Sequence, residues 1–249
     1  ISICTNGLAD DHQSNASVSP TLMEAFQCNL NKGATLEEML AFGRNEVASL
    51  FTSGGIEVSA FVWEPLSIAP PYDETGFRWF NYYPSWQAYQ SADTLWFSKD
   101  NAKNRAKLDK LATCRMPFFN TVHWIVPTES ELDAPDHNGN RILVGLCNVN
   151  EGMTMADVKS YMTPELSKSV REAAGADRGH FLVELGIGVN ADVDFLNTLY
   201  ATPVEMAKLL DGGREGKLSA ARAAATSQTR PFTCDTWHLH KSHRILAGQ

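Results

Sequence analysis

Three kinds of residue in this 249-residue chain recur as pairs about 120 positions apart: Glu64 with Glu184, His123 with His238, and Asn29 with Asn148. A glutamate beside a histidine is acid–base equipment, because burial raises the carboxyl pKa toward neutrality while the carboxylate tunes the imidazole. Glu64, Glu184, His123 and His238 are therefore the catalytic candidates. Asn29 and Asn148 could orient a substrate or polarise a carbonyl, and the aromatic Trp79 and Tyr82 could wall the same pocket. His238-Leu-His240 adds a metal option: alternate residues of a strand share a face, and two imidazoles on one face can hold zinc, copper or iron, with Glu184 or His123 as a third ligand.

The pairing follows from a longer repetition. CNLNKGATLEEM (Cys28 to Met39) recurs as CNVNEGMTMADV (Cys147 to Val158), SAFVWEP faces HFLVEL, WFNYYPSW faces FLNTLYATP, and RMPFFNTVHW faces RPFTCDTWHL, four anchors in the same order. Each copy reads strand, helix, strand, strand, helix, strand. Thr35 and Thr154 are expected helix N-caps, with Glu38 and Asp157 completing capping boxes; Ser85 and Thr202 start the second helices. Strand alternation assigns faces. Setting His123 over His238, and reading the apolar strand faces as packed on helices, turns the histidines, the asparagines and the two glutamates into a cavity between two sheets.

The order βαββαβ is ferredoxin-like, and with the strand-end phrases, the aromatic third strand and the two PF strands the chain resembles the dimeric α+β barrel superfamily. The resemblance implies an α+β fold of two tandem ferredoxin-like units packed sheet to sheet as a fused barrel. Residues 1–21 would be an N-terminal extension, 22–128 the first unit, 129–140 a linker and 141–249 the second unit. It also implies a cavity, without choosing among monooxygenase, isomerase, heme-dependent dismutase or peroxidase, and non-enzymatic members. The long stretch from Pro65 to Gly76 reads as a lid on one side only.

Composition narrows the classes. A net charge of −8 argues against a general nucleic-acid binder, and no apolar run approaches the roughly 20 residues of a membrane span. No phosphate loop, GxSxG elbow or HExxH occurs. Cys28 and Cys147 read as small buried residues, and Cys114 and Cys234 as a conceivable bridge. A start at Ile1 favours export, and Asn15 heads a glycosylation sequon. The leading expectation is a cofactor-light enzyme (monooxygenase, isomerase or lyase type) acting on a small organic molecule between the sheets. The alternatives are a non-enzymatic binding or assembly module, with homo-oligomers in either case, and a metal protein built on His238 and His240. Heme is not expected, since no histidine reads as facing the cavity from a helix.

Overall fold

The computed structural model describes residues 21–69, 76–126, 139–189 and 192–246. The extension up to residue 20 with Asn15, the middle of the expected lid and nearly all of the expected linker lie outside the described residues. In the first half, β1 (Thr21–Leu30) leads through α1 (Leu36–Phe42), a π-helical turn (Gly43–Val47) and α2 (Ala48–Ser53) to β2 (Ser59–Ser67) and β3 (Phe77–Tyr83). Then come α3 (Trp86–Trp96), α4 (Ala102–Leu111), a short β4 (Ala112–Cys114) and β5 (Phe118–Val126). The second half runs β6 (Arg141–Val149), α5 (Met155–Tyr161), α6 (Pro164–Ala174), β7 (Gly179–Glu184), β8 (Phe195–Ala201), α7 (Pro203–Arg214), α8 (Lys217–Ala225) and β9 (Phe232–Leu246).

The strands pair in the order β3-β2-β9-β6-β8-β7-β5-β1-β4, and β3 also pairs with β1. All but β4 therefore form a closed ring. Each half has the same internal order, β5-β1-β3-β2 and β9-β6-β8-β7, and the two seams between halves are the antiparallel pairs β2–β9 and β5–β7. Closure removes the free edges that an open sheet would expose. The fold is the expected α+β barrel.

An eight-stranded barrel has a lumen just wide enough for side chains to fill. Here Met23, Trp63, Phe80, Tyr82, Val144 and Phe181 fill it as one buried cluster drawn from both halves. The opposite strand parity faces the helices: Cys28, Val62, Phe77 and Trp79 pack with Met39 and Phe42 of α1 in the first half.

The helix starts follow the sequence reading. Thr35 accepts from the Glu38 amide and Thr154 from the Asp157 amide, both as capping boxes, while Ser85 and Thr202 cap α3 and α7. The glycine of each repeated phrase, Gly33 and Gly152, has φ of 89° and 79°, the left-handed turn that joins strand to cap. The cysteines correct the expectation. Cys28 bonds Cys114 and Cys147 bonds Cys234, each at a Cα–Cα distance of 4.0 Å, because β1 places Cys28 directly opposite Cys114 and β6 places Cys147 opposite Cys234. A Cys114–Cys234 bridge would have to join different halves.

Candidate functional site

The disulfides supply the true superposition of the halves, and it moves the predicted site. With Cys28 and Cys114 set on Cys147 and Cys234, the residue equivalent to His238 is Phe118, since Phe118 lies opposite Ala25 and His238 opposite Val144. His123 matches His243. The expected overlay of His123 on His238 was five residues out, an odd number, and the apolar face of β5 with Val122 and Trp124 meets the lumen rather than the helices, so His123 takes the outer face.

His123, Glu64 and Glu184 accordingly do not enter the lumen. His123 Nε2 lies 2.8 Å from Glu184 Oε2, with Lys159 of α5 at 3.2 Å, on the outer side of the β5–β7 seam. The mirror arrangement stands at the β2–β9 seam, where His243 Nε2 is 2.9 Å and Lys241 3.6 Å from Glu64 Oε2. Each pair joins one half to the other. The hydrogen bond from His243 holds the Glu64 carboxyl below its ordinary pKa. Burial pushes Glu184 up, but the pull of His123 and Lys159 together outweighs it. Burial lowers His243 despite its carboxylate partner, so at neutral pH that pair is a neutral imidazole donating its N–H to an anion.

The asparagines lie past the barrel rim. Asn29 has the lumen's parity but is exposed, and its Oδ1 accepts the Gly76 N–H at 2.8 Å where the chain enters β3. Asn148 pairs with Thr233 at the corresponding strand end.

His238 and His240 do face the lumen, as expected. They are 0% and 1% exposed, with ring centroids 6.3 Å apart, and Trp63 lies 5.7 Å from His240. Burial first, then the Arg78 charge, lowers both, His240 to about 3. They are neutral imidazoles among aromatic rings. The third ligand expected for a metal is on the other side of the sheet, and among the described residues no group of three or more His, Cys, Asp or Glu could hold one. Tyr82 also sits in the lumen, edge-on to Phe61 at 5.8 Å.

A cavity of about 750 Å³ lies elsewhere, between the outer sheet face of the first half and its helices. The register of β1 on β3 builds its floor: Glu24 is opposite Asn81, and Phe26 is opposite Trp79. Asn81 Nδ2 donates to Glu24 Oε2 at 2.8 Å, the Tyr83 hydroxyl donates to the same oxygen at 3.1 Å, and Trp79 Nε1 donates to Asn81 Oδ1 at 2.8 Å. Both bonds land on Oε2, so Oε1 takes neither. Glu24 is 6% exposed; its burial raises the carboxyl pKa over the opposing pull of Asn81 and Tyr83, and the Asp93 charge raises it further.

The roof comes from α1 to α4. Met39, Phe42 and Phe51 line one side and Tyr89, Asp93 and Trp96 of α3 the other. Over Trp79 the helix passes at Gly43, the first residue of the π turn, where a Cβ would come within 2.8 Å of the indole. Single π turns inside α-helices are frequent at functional sites. Of the residues expected to bind substrate, Trp79 lines this cavity.

Sequence reasoning missed Glu24, although TLMEAFQC carries a signal. Glu24 shares the parity of Leu22, Phe26 and Cys28, and a carboxylate on an apolar strand face must be paired, hydrogen-bonded or protonated.

No protein-family model and no curated protein sequence matches the chain. Solved structures do. A protein provisionally described as a chlorite dismutase is similar over 91% of this chain and 96% of its own, at 10% identity and a TM-score of 0.53. A mutant chlorite dismutase from Candidatus Nitrospira defluvii, in complex with cyanide, aligns over 92% of both chains at 11% identity and a TM-score of 0.48. The first similarity is one of fold, and it agrees with the α+β barrel.

Proposed function

We propose that this protein is an enzyme that takes a small, largely apolar organic molecule into the first-half cavity and moves a proton on it with Glu24. The observation that carries the reading is a buried carboxyl on the floor of an aromatic cavity, held by two neutral donors and with its pKa raised. Such a carboxyl holds its proton closer to neutrality and can act as general acid or base, which contributes roughly 10²–10⁴ in rate. Of the expected reaction types, isomerisation and lyase chemistry need only this group. Trp79 keeps its expected role as a wall for the substrate.

The Glu64–His243 and Glu184–His123 pairs fit the closing of the barrel better than catalysis, since each spans a seam. A heme, which the superfamily resemblance implies for some members, does not fit the cavity. Among the described residues no histidine lines it, Tyr83 donates to Glu24 and Tyr89 is hydrogen-bonded to Asp93.

The experiment is a turnover screen of small aromatic ketones, lactones, alcohols and amines by mass spectrometry, repeated on Glu24→Gln. Loss of at least 10² in rate in the variant is expected. A wild-type rate retained by Glu24→Gln would remove the proposal and favour a binding module. Two further parts go with this reading. The matched disulfides, caps and seam pairs support an origin of both halves by duplication of one unit, with the boundaries given above. The two disulfides also support residence in an oxidising compartment. Homo-oligomer formation stays an expectation that light scattering on the purified chain would decide.

A further inference from the structure

We infer that the ligand of the first-half cavity is an organic cation, an ammonium group carried on an apolar body, bound with its charge between Glu24 and Asp93. This rests on the reading of that cavity as the binding site. Of the three acids that line the cavity, Asp109 is exposed, while Glu24 and Asp93 lie close enough for the Asp93 charge to act on Glu24. Among the described residues neither forms an ion pair: Glu24 is held by the neutral Asn81 and Tyr83, and Asp93 is bonded by the neutral Tyr89.

The two arginines that line the cavity do not neutralise them. Arg105 donates to the carbonyls of Trp96 and Ser98 and stands 5.7 Å from the Phe97 ring, while Arg115 is exposed and reaches toward Gln27 at 3.4 Å. Charging the buried Glu24 beside the half-buried Asp93 without a counter-charge is costly, and a ligand that supplies the positive charge offsets that cost. The walls suit the same ligand. Trp79, Tyr83, Tyr89 and Trp96 line the space around the acids, and the faces of such rings attract cations, most strongly when water is excluded. A neutral or anionic ligand of the same shape would use the apolar walls but leave both carboxylates unanswered.

Three soluble probes of similar shape separate the cases: 2-phenylethylamine, an ammonium at pH 7, with 2-phenylethanol and 3-phenylpropionate. Binding is read by calorimetry and by quenching of tryptophan fluorescence, in the wild type and in Glu24→Gln and Asp93→Asn. The amine is expected to bind about tenfold or more tighter than the alcohol, and the anion weakest. Each variant is expected to lower the amine affinity about tenfold while leaving the alcohol within about threefold. If Glu24→Gln does not fold, Asp93→Asn carries the same comparison. An alcohol that binds as tightly as the amine, or an amine affinity unmoved by the variants, overturns the cation while leaving the cavity as the site. If no probe binds, the cavity reading falls and the inference with it.

Discussion

The two halves of this barrel share a scaffold and differ in what lies under their helices. On the same strand positions, the first half has Glu24 opposite Asn81 and the second has Leu143 opposite Leu199; Tyr83 gives way to Ala201 and Trp79 to Asn197. In the second half Leu143 packs against Met206 and Leu209 of α7. His180 is used up by Ser167 at 3.0 Å and Asn197 at 2.7 Å. The same fold can thus close its helical layer over apolar packing or hold it open over a hydrogen-bonded acid. The difference lies in a handful of side chains facing one side of β1 and β3, not in topology.

The largest expected effect tests the part the halves share. Each disulfide closes a loop of similar length, with sequence separations of 86 and 87. The chain-entropy relation then gives roughly 4–5 kcal/mol for either. Cys28→Ala with Cys114→Ala and Cys147→Ala with Cys234→Ala should lower stability by similar amounts in urea titration; a loss confined to one half would break the equivalence.

The next effect separates the halves by pH. Burial lowers His180 to about 3, so its share of the stability is present above about 6.5 and is lost as pH falls toward 3, on the order of several kcal/mol. Glu24 runs the other way: its raised pKa gives a contribution present below 4.5 and lost as pH rises through the folded value. His180→Asn should flatten the acid limb of a stability–pH curve, and Glu24→Gln should lift the neutral limb. If both variants move the same limb, the contrast fails.

A transplant sharpens it further. Leu143→Glu puts the acid of the first half where no Asn81 or Tyr83 equivalent can hold it, and should cost about 2–3 kcal/mol in thermal or urea unfolding. A neutral outcome would mean that the first-half network is not needed to tolerate Glu24. The smallest effect belongs to the seams. Glu64 and Glu184 are about one third exposed, so Glu64→Gln and Glu184→Gln should each cost about 1 kcal/mol or less, equally.

Much of this scaffold is legible in the sequence. The caps at Thr35, Thr154, Ser85 and Thr202 and the order of the elements follow from local chemistry and repetition, and the barrel is what the superfamily resemblance implies. The site was less legible, because alternation reports which residues share a face and not which face meets the lumen. When both faces are apolar the pattern is silent: along β3 every residue except Arg78 is buried. The histidines show the same limit: the face assigned to His123 turned on reading Val122 and Trp124 as packed on helices, when they fill the lumen, and the alignment with His238 reinforced it where Cys114 and Cys234, read as partners of Cys28 and Cys147, would have corrected it.

The central claim is that Glu24 is a proton-holding carboxyl in a ligand cavity. The most direct measurement is a pH titration of the Glu24 carboxyl carbon by ¹³C NMR, assigned with Glu24→Gln, in the presence and absence of 2-phenylethylamine. The account predicts a midpoint above 4.5 in the free protein and a displaced Glu24 signal on adding the amine. A midpoint at or below 4.5, with a signal indifferent to the amine, would contradict it.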